Sequence, residues 1–286
     1  MPGVDLRKHP ETGHPDDIEY AIILRPQPGC LQNLNNLKLI FTIGAGVDGI
    51  IHDDTLPDVP IIRNTDAHLV QGIRDYVIYQ VLRYHRFFDR YETQQRDQHW
   101  KQYPQLPHVS NTVGIMGVGK MGLPAAQALH ALGFNVRCWS RTPKTIEGLQ
   151  NFYGQSQLKD FLSGVNILAV TLPLTDETRN ILNADLFAAL PKGACVINLG
   201  RGAHLVEEDL LAALDSGHLR AATLDAFVTE PLPTENKLWT HPKISITPHI
   251  ASLTDYANLS QNILTVINHY KETGTLPQAV DRERQY

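Results

Sequence analysis

A doubly wound, parallel α/β sheet with a second, smaller α/β domain is the fold class that this sequence of 286 residues predicts, and three observations predict it. From Thr112 onward, short and nearly all-apolar segments alternate with helical ones. Strands that are apolar on both faces belong to a parallel sheet covered on both sides. The first of these segments, Val113-Gly114-Ile115-Met116, opens directly into Gly117-Val118-Gly119-Lys120-Met121-Gly122 and then into a helix. Upstream, residues 1–66 hold a separate set of short apolar segments with Pro/Gly-rich connections. The chain is also long for a single core, so one large or two moderate domains are expected.

In the first domain, Tyr20–Leu24, Leu39–Thr42 and Ile61–Arg63 read as strands, with connections such as Arg25-Pro26-Gln27-Pro28-Gly29. His68–Trp100 reads as one long helix or two joined pieces. Leu69, Ile73, Val77, Val81 and Tyr84 mark one helical face, and Tyr76, Ile78, Tyr79 and Leu82 extend it around the circumference. Apolar surface on more than one side predicts a subunit interface there. After a loop at Pro104–Asn111, strands are predicted at Val113–Met116, Phe134–Trp139, Val165–Leu172, Ala194–Leu199, Ala221–Ala226 and Ile244–Thr247. A helix over Leu123–Leu132 follows the glycine run. Further helix starts are predicted at Thr175-Asp176-Glu177-Thr178 and at Glu207-Glu208-Asp209, the second running through Leu214 to a stop at Gly217. A last helix, roughly Thr254–Glu272, leads away to Gly274 and Pro277. The expected division is therefore a smaller substrate domain, 1–66 completed by 257–286, and a dinucleotide-binding domain, 67–256.

Composition narrows the function classes. Apolar content of 42% and charged content of 19% fit a soluble globular protein. A net charge of −5 without a basic block speaks against nucleic acid as a partner. The N-terminus, Met1 to Pro10, has no apolar core of the signal-peptide kind, and the most apolar stretch, Val165–Leu174, is too short to span a bilayer. Cys30, Cys138 and Cys195 are widely spaced with no CxxC, and Cys138 and Cys195 lie in predicted buried strands, so the reading is small core residues, with no metal site and a reducing cytoplasm as the setting.

The glycine run has the order a dinucleotide demands: strand, tight turn, helix, strand. Gly117 permits the turn, Gly119 lets the backbone approach a pyrophosphate, and Gly122 lets the helix pack close to the sheet. The helix N-terminus then offers amide donors to phosphate. An NAD site carries an Asp or Glu about 20 residues beyond the fingerprint, to hold the ribose 2′-hydroxyl. Here Ser140, Arg141, Thr142 and Lys144 stand in that region. A carboxylate would repel a 2′-phosphate, whereas a hydroxyl and a guanidinium bind it with charge assistance, so NADP(H) is the expected cofactor.

Ligands of an open parallel sheet bind beyond the carboxyl ends of its strands. Arg201 follows Cys195–Leu199, Glu230 lies just past Ala221–Ala226, and His249 follows Ile244–Thr247, with Asp225 near the end of its own strand. Reducing a ketone by hydride transfer requires a proton at the carbonyl oxygen, which a histidine suits. A carboxylate beside it, Glu230, would orient it and favour its charged form. An arginine can hold an α-keto acid by its carboxylate and polarise the carbonyl. Taken singly, each residue has a blander reading, since there are thirteen histidines and strand-end charges are common. The case rests on all three lying at one edge, downstream of the fingerprint.

These segments resemble the D-2-hydroxyacid dehydrogenase family over most of the chain, closest to its NADPH-dependent glyoxylate/hydroxypyruvate reductase A branch. The resemblance is carried by Gly44-Ala45-Gly46-Val47-Asp48, the fingerprint, Cys138 to Thr142, and Leu172-Pro173-Leu174-Thr175. It continues through Asn198-Leu199-Gly200-Arg201-Gly202, Leu210 to Gly217, Glu230-Pro231-Leu232-Pro233, Leu238-Trp239, Thr247-Pro248-His249-Ile250 and Val280-Asp281-Arg282. It implies a Rossmann-type domain and a smaller flavodoxin-like one, with reduction of small 2-keto acids such as glyoxylate and hydroxypyruvate. It further implies Arg201 as substrate ligand, Glu230 paired with His249, and His249 as acid/base. Asp225 would face the nicotinamide carboxamide, and Lys120, Met121, Leu172, Pro173 and Gly200 would join the cofactor surface. Ala45, Gly46 and Val47 would offer backbone amides to the substrate carboxylate, and the helix near His68–Arg90 would pack a homodimer.

The sequence departs from the family pattern at its start. Family members begin with an extra strand and helix, and here Val4–Arg7 reads as their second strand, as in an N-terminally truncated chain. Ala226 where the family often has Val is minor. Two rivals share part of the evidence. A β-hydroxyacid dehydrogenase or imine reductase resembles the fingerprint with Trp139-Ser140-Arg141-Thr142 and Lys144, but places it near the N-terminus. A catalytically silent nucleotide sensor would keep the fold, though it would have no need of Arg201, Glu230 and His249.

Overall fold

The computed structural model describes residues 4–286. The chain divides into two compact units, one formed by the segment up to Leu69 with Thr254–Tyr286, the other by Val70–Leu253.

The smaller unit is built on three parallel strands, β1 (Tyr20–Ile23), β2 (Leu39–Thr42) and β3 (Ile61–Arg63), in that spatial order. Alternate strand residues point to opposite faces. Leu39, Phe41 and Ile62 pack against Leu259, Ile263 and Ile267, a stripe at every fourth position of the last helix (Tyr256–Thr273). Ala21, Ile23, Ile40 and Ile61 face the other way, onto Leu31, Leu37, Val47 and Ile50 from the connections. The Asp255 side chain caps the last helix by accepting from the amides of Ala257 and Asn258. Val4–Arg7 forms no strand, contrary to the sequence expectation. Arg7 is instead engaged by Asp5, Asp17 and the Thr12 carbonyl, and Leu6 is exposed, so the segment has no apolar face to bury.

The larger unit holds α1 (Ala67–His85, which begins in the preceding unit), α2 (Phe88–Arg96), β4 (Thr112–Met116), α3 (Gly122–Ala131), β5 (Asn135–Ser140) and β6 (Gln150–Tyr153). There follow α4 (Leu158–Leu162), β7 (Ile167–Val170), α5 (Ala184–Ala189), β8 (Ala194–Asn198), α6 (Glu207–Asp215), β9 (Leu219–Leu224) and β10 (Ile244–Ile246). The seven strands are parallel in the order β10-β9-β8-β7-β4-β5-β6, so the winding reverses between β4 and β7. Val113, Ile115, Ile167, Ala169, Cys195 and Ile197 pack with Val77, Val81 and Tyr84 of α1 and with Ala125, Ala126 and Leu129 of α3. Met116, Leu168, Val170, Val196 and Leu224 pack on the opposite face with residues of α4, α5 and α6. A sheet covered on both faces explains its all-apolar strands.

Of the two readings of His68–Trp100, the two joined pieces hold: α1 and α2 are separated at Phe87, whose φ is 59°. Two expectations change. Thr175–Thr178 starts no helix: the Thr178 hydroxyl accepts from the Thr175 amide and donates to the Pro173 carbonyl, holding a turn instead. Helix α5 begins only at Ala184, where Asn183 caps it. Strand β6, Gln150-Asn151-Phe152-Tyr153, was not anticipated. It is a half-buried edge strand with no fully apolar run to mark it. Among the described residues, no helix is long and apolar enough to cross a membrane.

Candidate active site

The glycine turn lies at the carboxyl end of β4, at the point where the strand order reverses. Gly117 has φ +101°, and a Cβ there would lie 2.9 Å from the backbone of Thr171 and Leu172. A Cβ on Gly122 would collide with the Gly117 carbonyl oxygen and the Thr171 hydroxyl. Gly119 differs, because a Cβ there would meet nothing within 4 Å. Two glycines thus close the turn on the protein, and the third faces open space. The Thr171 hydroxyl, at the end of β7, donates to the Gly117 carbonyl at 2.6 Å and locks the turn. Helix α3 starts at Gly122 without a side-chain cap, leaving its N-terminus to a ligand. Lys120 and Met121 lie between Gly119 and this helix start. This cradle fits a dinucleotide pyrophosphate.

At the end of β5, Ser140 is 5% exposed. Its hydroxyl donates to the Thr142 carbonyl at 2.8 Å, so its first role is closing the turn that carries Arg141. Lys144 donates to the Val118 carbonyl at 2.8 Å, which ties this turn to the glycine loop. Asn151, on the unanticipated β6, places its amide 3.1 Å from the Ser140 hydroxyl. Arg141, Thr142 and Lys144 are thereby gathered beside the cradle, with Ser140 and Asn151 as their support.

Glu230 and His249 form an ion-pair-competent couple: His249 Nδ1 lies 2.9 Å from both Glu230 Oε1 and Oε2. Glu230 is 17% and His249 35% exposed at the side chain, so the pair is sheltered and the imidazole still reachable. Glu230 Oε1 also accepts from the Phe227 amide at 3.0 Å, which orients the carboxylate. His249 adopts φ 55°, a left-handed conformation costly for a side chain with a Cβ.

Asp225 accounts for its persistence. Asp225 is 1% exposed, and its carboxylate accepts from the Ile250 and Ala251 amides at 2.9 Å and from the Thr247 hydroxyl at 2.5 Å. It thus grips the turn on both sides of His249. Tyr76 of α1 approaches the same Thr247 hydroxyl at 2.7 Å, and burial pushes its phenol up to about 12, so it stays a donor. Since Thr247 gives its hydrogen to Asp225, Tyr76 donates to Thr247.

Arg201, past β8, is partly buried and reaches the Gly200 carbonyl at 2.9 Å. Asn198 braces its backbone, donating to the Arg201 carbonyl at 3.0 Å and accepting from the Gly200 amide at 3.2 Å. Leu172 and Pro173 follow β7 in the same unit. Ala45, Gly46 and Val47 belong to the smaller unit, after β2, where the Thr42 hydroxyl donates to the Gly44 carbonyl at 2.6 Å. The Val47 side chain is committed to that unit's own core.

The larger unit pairs Glu230 with His249 above the Asp225 carboxylate, and carries Arg201 at the same carboxyl edge of the sheet as the cradle. Sequence reading missed Thr171, Thr247, Tyr76 and Asn151, which act on the backbone or on other side chains. Only the threonines carried a signal, as hydroxyl residues at strand ends.

Residues 78–251 match the D-isomer specific 2-hydroxyacid dehydrogenase NAD binding domain. The chain is 49% identical over 252 residues to glyoxylate/hydroxypyruvate reductase A of Serratia proteamaculans (strain 568), covering 85% of this chain and 80% of that protein. Among solved structures, a D-isomer specific 2-hydroxyacid dehydrogenase from Xanthobacter autotrophicus Py2, in complex with NADPH and MES, superposes with TM-score 0.95 at 39% identity. It covers 100% of this chain and 92% of that one. The NADPH-dependent glyoxylate/hydroxypyruvate reductase of Sinorhizobium meliloti, in complex with NADP and sulfate, gives TM-score 0.90 at 37% identity, covering 94% and 86%.

Proposed function

The chain belongs to the D-isomer specific 2-hydroxyacid dehydrogenase family, and on that premise we propose that it reduces small 2-keto acids, glyoxylate and hydroxypyruvate, to glycolate and D-glycerate with NADPH. The observation that carries this reading is the Glu230–His249 couple, in the unit that also holds Arg201 and the cradle. The two solved relatives that contain NADPH or NADP, and the Arg141 turn without an acidic residue, support the choice of cofactor.

NADPH, when bound, supplies the hydride. Gly117, Gly119 and Gly122 with Lys120 and Met121 cradle its pyrophosphate, and Arg141, Thr142 and Lys144 hold the 2′-phosphate, with Ser140 shaping their turn. Leu172, Pro173, Gly200 and Asp225 complete the cofactor surface. Arg201 forks to the keto-acid carboxylate and polarises the carbonyl. With Nδ1–H given to Glu230, His249 presents Nε2 to the substrate and delivers the proton from there as the carbonyl oxygen gains charge. Glu230 stabilises the imidazolium before transfer and keeps the ring oriented after it. A homodimer packed on α1, in a cytoplasmic setting, completes the proposal. Exposed Tyr79 on α1 and Phe88 just beyond it support the interface, which light scattering at dilute concentration tests.

The direct test follows NADPH oxidation by the purified protein across glyoxylate, hydroxypyruvate and larger 2-keto acids. Turnover on the two small acids supports the reading. Cofactor binding with no turnover on any of them would leave a sensor in its place.

A further inference from the structure

The motif Gly200-Arg201-Gly202-Ala203-His204 contains a histidine that the reaction itself does not use. His204 is 0% exposed, and both its ring nitrogens have backbone partners. The Arg201 amide donates to Nδ1 at 3.0 Å, so Nδ1 carries no hydrogen. The neutral ring then holds its hydrogen on Nε2, which lies 3.2 Å from the Pro173 carbonyl and donates to it. One imidazole therefore bridges the segment after β8 to the segment after β7. Its fit is close: a Cβ on Gly200 would stand 2.8 Å from the ring's Cε1 and Nδ1. The Pro173 carbonyl has a second donor, the Thr178 hydroxyl at 2.7 Å, and is held without the histidine.

We propose that His204 is a positioning residue that sets the backbone of Arg201, and through it the guanidinium that grips the keto-acid carboxylate. The proposal rests on the reading of Arg201 as the carboxylate ligand. It assigns the two ring nitrogens unequal weight. Nδ1 governs substrate affinity, whereas Nε2 duplicates an anchor that Thr178 already supplies.

Two isosteric replacements separate the nitrogens. In His204→Asn the amide oxygen can occupy the Nδ1 position and still accept the Arg201 N–H. In His204→Gln the amide reaches the Nε2 position and leaves that N–H without its acceptor. The expected result is a keto-acid KM raised roughly tenfold or more in His204→Gln, with NADPH affinity unchanged, and nearly restored in His204→Asn. Gly200→Ala, which presses a methyl group on the ring, should raise the same KM and serves if the glutamine variant does not fold. Equal KM values for wild type, His204→Gln and Gly200→Ala would overturn the proposal, as would identical losses in the Asn and Gln variants. Arg201→Gln is the control. If it leaves the keto-acid KM unchanged, the reading of Arg201 fails and takes this inference with it. If it raises KM while the His204 variants do not, only the inference fails.

Discussion

Replacing Glu230 by Gln removes one charge and almost no volume, and its cost can be worked from the geometry. His249 Nδ1 lies 2.9 Å from both carboxylate oxygens, and one of these also accepts the Phe227 amide. A glutamine offers a single acceptor, to be shared between Nδ1–H and the Phe227 N–H, and turns an N–H toward the ring in its other orientation. A hydrogen bond to a charged group contributes about 1.5–3 kcal/mol and a neutral one about 0.5–1.5 kcal/mol. Because the pair is partly exposed, at 35% and 17%, the difference belongs at the lower end. A loss of about 1–2 kcal/mol in the step where His249 is charged corresponds to a fall in kcat of roughly 5- to 30-fold. The assay is steady-state reduction of hydroxypyruvate at saturating NADPH, with cofactor Kd measured by fluorescence and folding by thermal melting. The expected outcome is a lowered kcat with NADPH Kd and Tm near wild type. An unchanged kcat in the folded variant would refute Glu230 as the partner of the proton donor.

The glycine turn makes a paired prediction: Gly119→Ala should keep the wild-type Tm and weaken NADPH binding, whereas Gly122→Ala should lower Tm, because its methyl group meets backbone; overpacking of that kind costs about 1–3 kcal/mol. Arg141→Gln should raise the KM for NADPH by about 10- to 100-fold through loss of charge-assisted contacts, and leave NADH almost unaffected; equal effects on both cofactors would remove the 2′-phosphate assignment. Tyr76→Phe should cost about 1 kcal/mol of stability and lower kcat several-fold while sparing the NADPH KM, by loosening Thr247 and Asp225 behind His249. Burial pushes the Cys138 thiol up to about 12 and the Cys195 thiol up to about 11. Both stay protonated through neutral pH, so a thiol reagent should label neither in the native enzyme and both after denaturation.

The larger sheet was legible because its physics is local. Strands buried on both faces need apolar runs such as Ile167–Val170, and a tight turn at a pyrophosphate needs glycine at 117, 119 and 122. Strand β6 escaped because an edge strand that is only half buried tolerates Gln150 and Asn151. Thr175–Thr178 misled because a hydroxyl residue that suits a helix start also suits a turn, and here the Pro173 carbonyl was within its reach. Val4–Arg7 has a strand-like pattern, but Arg7 pairs with Asp17 and Leu6 stays exposed, so nothing draws the segment into a sheet. In the site, Arg201, Glu230 and His249 were readable as charged groups after apolar strands. Asp225 was readable in the same way, but its support of the His249 turn was not, nor were Thr247, Tyr76 and His204, since these act through contacts made across 22 to 171 positions of sequence, or through a backbone amide.

The central claim is that hydride passes from NADPH to carbon 2 of a small keto acid while His249 supplies the proton. Reduction of glyoxylate with NADPH deuterated at the transferred position tests it most directly, with the product examined by mass spectrometry. Deuterium at carbon 2 of the hydroxy acid, formed by the wild type and lost in a His249→Ala variant that still binds NADPH, is the predicted result. Bound cofactor with no deuterium delivered to glyoxylate or hydroxypyruvate, or undiminished transfer in His249→Ala, would contradict it.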